Sequence, residues 1–266
     1  METVESTDGT PIVFERTGDG PPLVLVHGST ADHTRWDPIL PAFEERFTVY
    51  ALDRRGRGAS GDSPEYVMER EVEDIVAVVE AIDEPVTLFG HSYGAMCSLE
   101  AALRLSTLCA LVLYEPPIPV VGFEPDSEGT LAEIAALHER GEDEDALVRF
   151  LREIAEIPLF ELDALRSAPN WPARVEAAHT VIREERARTE YEFDPARFED
   201  LTTPTLLLVG GETAPLHAAA SSTLDETLED SRIVLLEGQA HAAMNTAPEL
   251  VIDAVLTFDD EVRSRE

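Results

Sequence analysis

The sequence lacks lysine altogether. Its 266 residues carry 20 basic side chains, all of them arginines, against 54 Asp and Glu, which gives a formal net charge of −34. A surface this negative repels phosphate backbones and anionic lipid headgroups, so we predict no nucleic-acid partner and no membrane partner. Residues 116–203 hold 21 acidic residues against nine arginines, a density close to that of the remaining chain. The charge therefore belongs to the whole surface and not to a tail.

Cysteine and long apolar runs are also scarce. The two cysteines, Cys97 and Cys109, each fall inside an apolar stretch, which predicts buried thiols and no disulfide. No apolar run approaches the ~20 residues of a membrane span. The first ten residues are acidic and polar, unlike a signal peptide. These absences lead us to expect a cytoplasmic protein.

Abundant acidic residues without lysine resemble the proteomes of halophiles that keep molar salt in the cytoplasm. Self-repulsion of this size destabilises a compact chain unless salt screens it. We therefore expect a halophilic protein and rank an ordinary acidic protein second, because lysine is absent altogether.

Strand and helix patterns alternate over the first 115 residues. Strands are predicted at residues 12–16, 23–26, 47–52, 85–89 and 109–114, with helices at 69–82 and 93–105. The continuous apolar runs among them are typical of buried parallel strands. We predict an α/β fold with a mostly parallel, doubly wound sheet.

The pattern changes after the pair Pro116-Pro117. Helical signals alone follow until about residue 200, at 131–138, 145–154, 159–165 and 174–188. Strands return at 205–209 and 232–236, and a helix at 248–258 closes the chain. The helical block is therefore an insertion: residues 118–200 are predicted to form a helical cap (lid) on a core made of 1–117 and 201–266.

The sharpest local signal is the segment Gly90-His91-Ser92-Tyr93-Gly94. It follows an apolar strand and opens a helix, the setting of a nucleophile elbow. The turn is so tight that residues two before and two after the serine must be small, and both are glycines. The Ser92 hydroxyl is then presented at the carboxyl end of the sheet, beside the amides of a helix N-terminus.

Four segments together resemble the α/β-hydrolase superfamily over essentially the whole chain. They are His27-Gly28-Ser29-Thr30, residues 53–60 (DRRGRGAS), the elbow at Ser92, and Gly238-Gln239-Ala240-His241. The helical insertion lies where that family has its cap, and the chain is most similar to cofactor-free esterases and non-haem haloperoxidase-like hydrolases.

The resemblance implies roles for individual residues and no cofactor. Ser92 would be the nucleophile and His241 the general base that takes its proton. The amides of Ser29 and Tyr93 would form the oxyanion hole. His91 is interpreted as structural, and His217, like three other histidines, as a core or solvated residue.

The acid of the triad departs from the family pattern. The family usually supplies Asp from Gly-x-x-Asp, but this chain reads Gly210-Gly211-Glu212-Thr213 and so has Thr213 there. Glu212 lies one residue early, and Glu115 follows a buried strand where some branches place their acid. Both keep the order Ser, acid, His. We prefer Glu115 and keep Glu212 as the alternative.

The leading hypothesis is a serine hydrolase that cleaves a small carboxylic ester or related carbonyl through an acyl-enzyme. Carbon–carbon bond hydrolysis or perhydrolysis on the same triad stays open, as does an inactive ligand-binding protein, because of Thr213. Leu159, Phe160 and Trp171 are candidates to face the pocket from the cap, although apolar residues on cap helices more often only pack against one another. No Cys/His cluster suits a metal, so none is predicted.

Overall fold

The computed structural model describes residues 1–123 and 128–265. Within them the chain forms an eight-stranded sheet of β1 (Glu2–Glu5), β2 (Pro11–Thr17), β3 (Pro22–Val26), β4 (Thr48–Leu52), β5 (Val86–His91), β6 (Leu108–Tyr114), β7 (Thr205–Gly210) and β8 (Ser231–Leu236). The strand order is β1-β2-β4-β3-β5-β6-β7-β8. β2 is antiparallel to β1 and β4, and the other neighbouring pairs are parallel. The predicted α/β class is confirmed.

Helices follow most of the parallel strands. In the described residues they are α1 (Leu40–Glu44), α2 (Met68–Glu80), α3 (Tyr93–Ala102), α4 (Glu128–Glu139), α5 (Asp143–Glu153), α6 (Leu159–Ser167), α7 (Trp171–Glu176), α8 (Val181–Glu190), α9 (Pro215–Thr227), α10 (Ala243–Thr246) and α11 (Pro248–Arg263). Short 3-10 turns occur at His33–Trp36, Ala177–Thr180 and Pro195–Arg197.

Both faces of the sheet are buried. Successive side chains of a strand point to opposite faces, so β3 sends Val24 and Val26 to one side and Leu23 and Leu25 to the other. Helices α2, α3 and α9 cover the first side, while α1 and α11 cover the second. This double cover is why the central strands read as continuous apolar runs.

The helices α4 to α8, called the helical block below, lie between β6 and β7 in the chain. They have their own apolar cluster. Its buried members include Leu147, Phe150, Leu162 and Leu165, and Ala242 joins it from the loop after β8. Residues 124–127 of the predicted cap lie outside the described residues. The division at 118 and 200 stays a prediction.

Buried ion pairs join the helical block to the sheet. Glu184 of α8 lies 2.6 Å from Arg54 and 2.5 Å from Arg57, both in the loop after β4. Glu71 of α2 completes the group, 2.7 Å from Arg54. Because removing one partner would leave a buried charge uncompensated, this network fixes α8 against the loop that follows β4.

Several elements differ from the sequence-based predictions. Four of the strands and helices in the described residues were not predicted. β1 is a polar edge strand, α1 and α10 are only five and four residues long, and α9 is rich in Ala, Ser and Thr. The helix predicted at 174–188 is interrupted by the 3-10 turn Ala177–Thr180. Both thiols are free, but Cys109 is only partly buried. Among the described residues, no helix is long and apolar enough to cross a membrane.

Candidate active site

Ser92 lies at a strained turn between β5 and α3. Its φ of 56° and ψ of −126° are far from the regions that non-glycine residues prefer. Hydrogen bonds from the amides of Ala95 (2.8 Å) and Met96 (3.2 Å) to the Ser92 carbonyl hold the first turn of α3. Strain of this kind persists only where the surroundings enforce it, and it is typical of functional sites.

The two glycines of the elbow are required by close approach. A Cβ added at Gly90 would lie 2.6 Å from the Cα of Ala95, and one at Gly94 would lie 2.3 Å from the carbonyl oxygen of His27. Backbone atoms cannot yield to such contacts. The turn therefore requires glycine at both positions of the motif, as the sequence pattern indicated.

The loop after β8 brings His241 against Glu115. The Nδ1 of His241 donates to Oε2 of Glu115 at 2.5 Å, while Oε1 of Glu115 accepts from the Gly210 amide at 2.8 Å. Glu115 directly follows β6, has a φ of 48°, and is fully buried. The turn at the end of β6 thus directs this carboxylate across β7 to the histidine.

Glu115 is held as a carboxylate. Burial alone would raise its pKa, but the hydrogen bond and charge of His241, with the Gly210 amide, lower the pKa below its ordinary value. An ionised carboxylate only accepts hydrogen bonds, so Nδ1 of His241 carries the proton and Nε2 is left free to accept one.

Neither of the other two positions weighed for the acid reaches His241. Glu212 is exposed, and its amide bonds to the carbonyl of Gln239 at 2.7 Å. The hydroxyl of Thr213 is buried without a hydrogen-bond partner among the described residues. Of these candidates, the structure brings Glu115 to the histidine.

Two further histidines surround His241. His91 donates from Nε2 to the carbonyl of His241 at 2.9 Å. The ring of His217 stacks on that of His241, with centroids 4.6 Å apart and planes 20° apart. Burial, together with the neighbouring His241, lowers the pKa of His217 to about 4 and that of His91 well below its usual range. His217 is buried as a core residue would be, but its contact with His241 was not foreseen.

The carboxylate of Glu161 on α6 braces the loop that carries His241. It accepts from the amides of Ala240 and Ala242, each at 2.9 Å, and is fully buried. Burial raises its pKa, while the two amides oppose that effect. Nothing in the sequence pattern indicates this contact, because Glu161 reads as one more acid on an acidic helix.

The residues proposed for the oxyanion hole adjoin Ser92. Ser29, in the loop after β3, lines the same cavity, and Tyr93 begins α3. His27 fixes that loop, since Nδ1 donates to the Gly28 carbonyl at 2.8 Å and Nε2 accepts from the Arg54 amide at 3.1 Å. The oxyanion role of the Ser29 and Tyr93 amides stays a prediction.

The cavity beside Ser92 lies between the sheet and the helical block. Its apolar wall comes from Phe150 and Leu151 of α5 and Leu165 of α6. Leu159 and Phe160 do not belong to this wall: they are 63 % and 45 % exposed at the start of α6 and point to solvent. Trp171 is buried among the other helices of the block and is not part of the cavity wall.

In the described part of the chain, one group of three side chains could in principle hold a metal. Glu115, His217 and His241 have ligand atoms within 4.8 Å of one another. Two imidazoles stacked nearly in parallel direct their nitrogen lone pairs along separate planes, not to a common point. The Glu115–His241 hydrogen bond also occupies Nδ1, so these residues do not fit a metal site.

Comparison with known proteins shows which family the chain belongs to. The model of the alpha/beta hydrolase family matches residues 23–254. A crystal structure of an alpha/beta hydrolase from Sphaerobacter thermophilus is 35 % identical, with a TM-score of 0.81 over 96 % of this chain and 100 % of that one.

Curated relatives are more distant in sequence. A 2-(acetamidomethylene)succinate hydrolase of Mesorhizobium japonicum is 26 % identical over 91 % of this chain and 89 % of its own. A pimeloyl-[acyl-carrier protein] methyl ester esterase of Aeromonas hydrophila is 27 % identical over 93 % of this chain and 98 % of its own. The protein belongs to the alpha/beta hydrolase family and is an enzyme of the hydrolase type.

Proposed function

We propose that this protein is a serine hydrolase that cleaves small carboxylic esters through an acyl-enzyme. The observation that carries the proposal is the pairing of a strained serine elbow with a histidine in one cavity, the histidine being held by a buried carboxylate. The names of the relatives from Mesorhizobium and Aeromonas, a hydrolase and a methyl ester esterase, support hydrolysis at a carbonyl centre.

In the acylation step the Oγ of Ser92 attacks the ester carbonyl carbon and its proton passes to Nε2 of His241. The negative charge on the carbonyl oxygen is stabilised by the amides of Ser29 and Tyr93. When the tetrahedral intermediate collapses, the C–O bond to the alcohol breaks and the alcohol leaves with the proton from His241. The acyl group is then an ester of Ser92.

Deacylation repeats the same steps with water. His241 takes a proton from water as the oxygen attacks the acyl carbon, and returns it to Oγ of Ser92 as the acid departs. Glu115 stays ionised throughout and stabilises the imidazolium that forms twice in the cycle.

The experiment is turnover of p-nitrophenyl acetate by Ser92→Ala. We expect a fall in kcat on the order of 10³-fold or more, because the covalent route is lost. Ser222→Ala, an exposed hydroxyl on α9, is the matched control and should retain wild-type turnover. Full activity in Ser92→Ala would refute the proposal.

A further inference from the structure

Two arginines line the cavity beside Ser92. Arg35, in the 3-10 turn His33–Trp36, is 1 % exposed, and Arg174, on α7, is 5 % exposed. One comes from the loop after β3 and the other from the helical block. Two guanidinium groups therefore meet at the wall of the cavity that holds Ser92 and His241.

Neither guanidinium forms an ion pair with a residue that the structure describes. Arg35 bonds to the side-chain oxygen of Asn245, and Arg174 makes two 3.4 Å contacts to Thr30. The Nε atoms of both are buried without a hydrogen-bond partner in residues 1–123 and 128–265. The acids whose charges act on them are hydrogen-bonded elsewhere: Glu161, which acts on Arg35, to the amides of Ala240 and Ala242, and Asp32, which acts on Arg174, to Thr34.

Other buried arginines of the chain are paired. Carboxylates lie within 3.0 Å of the guanidinium groups of four of them: Arg54, Arg55, Arg57 and Arg188. A chain with 54 acidic residues does not lack partners. The lack of an ion pair therefore sets Arg35 and Arg174, which line the cavity, apart from the other buried arginines.

A buried cation without an ion-pair partner is costly. Burial lowers the pKa of Arg174 to about 9, with a further contribution from Arg35, and lowers the pKa of Arg35 to about 10. Both groups are still cationic at neutral pH. An anion entering the cavity would offset the cost and supply the missing acceptors.

The charge of the whole molecule bears on how an anionic substrate could bind beside Arg35 and Arg174. A net charge of −34 repels anions from the surface, so it cannot recruit an anionic substrate. Affinity for one would have to come from cations placed inside the cavity, where salt screens them least.

We propose that Arg35 and Arg174 bind a carboxylate of the substrate, so that the preferred substrates are monoesters of short dicarboxylic acids. The inference rests on the proposed serine hydrolase activity. The acid must be short because its ester carbonyl and its free carboxylate share one cavity with Ser92. The apolar wall of Phe150, Leu151 and Leu165 would contact the methylene groups between them.

The test compares two esters of matched size in a pH-stat assay at fixed KCl. Monomethyl succinate carries the carboxylate, and methyl levulinate replaces it with a neutral methyl ketone. We expect kcat/KM of the wild type to be about tenfold or more higher for monomethyl succinate, since hydrogen bonds to charged groups are the stronger ones.

The variants are Arg174→Gln, Arg35→Gln and, as control, Arg140→Gln, an exposed arginine on the outside of the helical block. Each cavity variant should lower kcat/KM for monomethyl succinate by about 10–100-fold and for methyl levulinate by less than about threefold. Arg140→Gln should change neither. A wild type without preference, or equal losses for both esters, would overturn the proposal.

Calorimetry with succinate separates this inference from the proposed activity. Ser92→Ala should bind succinate, and Ser92→Ala with Arg174→Gln should bind it at least tenfold more weakly. If the wild type hydrolyses neither of these esters nor p-nitrophenyl acetate, the serine hydrolase proposal fails, and the succinate titration still decides whether the carboxylate site exists. No binding to Ser92→Ala would reject that site.

Discussion

In the proposed triad, Glu115 takes the place of the acid that the family resemblance leads us to expect after β7. It reaches His241 because β6 and β7 are neighbours and a residue with positive φ at the end of β6 directs its side chain across the edge of β7. The position expected from the motif holds Thr213, whose hydroxyl cannot balance an imidazolium. The proposed acid therefore lies at the end of β6 instead of β7, and the order Ser, acid, His is kept.

Glu115→Gln should lower kcat with p-nitrophenyl acetate on the order of 10²–10⁴-fold. The amide is close in size to the carboxylate, but it can donate to Nδ1 and so favour the imidazole tautomer with its proton on Nε2, which cannot accept the Ser92 proton. Glu212→Gln is the matched control and should match wild type. A collapse of kcat in Glu212→Gln alone would show that the acid is misassigned.

Some site residues could be predicted from the sequence and others could not. Ser92 and His241 lie in motifs with steric or positional demands that a sequence displays. Arg174, Glu161 and His217 lack such signals, because a single charged residue on an amphipathic helix looks the same whether it faces water or a cavity. Their roles depend on how α6, α7 and α9 pack, which local patterns do not encode.

At the scale of elements, α6 links the helical block to the loop that carries His241. Glu161 on this helix is the acceptor for two amides that flank His241, so the position of the histidine depends on a contact outside the sheet. The same loop contributes Ala242 to the apolar cluster of the block. Packing of the helices and placement of His241 are therefore coupled.

Glu161→Gln should lower kcat for p-nitrophenyl acetate about tenfold with little change in KM, because one charged acceptor for both amides becomes a neutral amide with a single oxygen. It should also lower the free energy of unfolding by about 1–3 kcal/mol. Glu139→Gln, an exposed acid on α4, should change neither. A folded Glu161→Gln enzyme with wild-type kcat would show that the contact does not position His241.

Most strands and helices were predictable because their apolar periods are clear. The exceptions carry little apolar pattern, and α1 and α10 are only five and four residues long. β1 buries little, and α9 presents small polar side chains on much of its surface, so neither carries a strong hydrophobic pattern. The 3-10 turn Ala177–Thr180 leaves the helical spacing of apolar residues nearly unchanged. The sequence pattern therefore does not show this break.

At the scale of the whole molecule, the net charge of −34 is carried by a chain with the fold of its family. Of its 54 acidic residues, only Glu115 belongs to the proposed triad. We infer that the acidity of the exposed surface is an adaptation to solvent. The free energy of unfolding, measured by urea denaturation, should rise as KCl increases from 0.1 M to 2 M, because salt screens repulsion between surface carboxylates. A maximum of stability at low salt would contradict this inference.

Labelling by a fluorophosphonate tests the central claim most directly. An activated serine attacks the phosphorus and displaces fluoride, which leaves a stable covalent adduct. Mass spectrometry of the digested wild-type protein should find one adduct, on the peptide that contains Ser92, and none in Ser92→Ala. A wild-type protein that stays unlabelled, or is labelled equally after Ser92→Ala, would contradict the account.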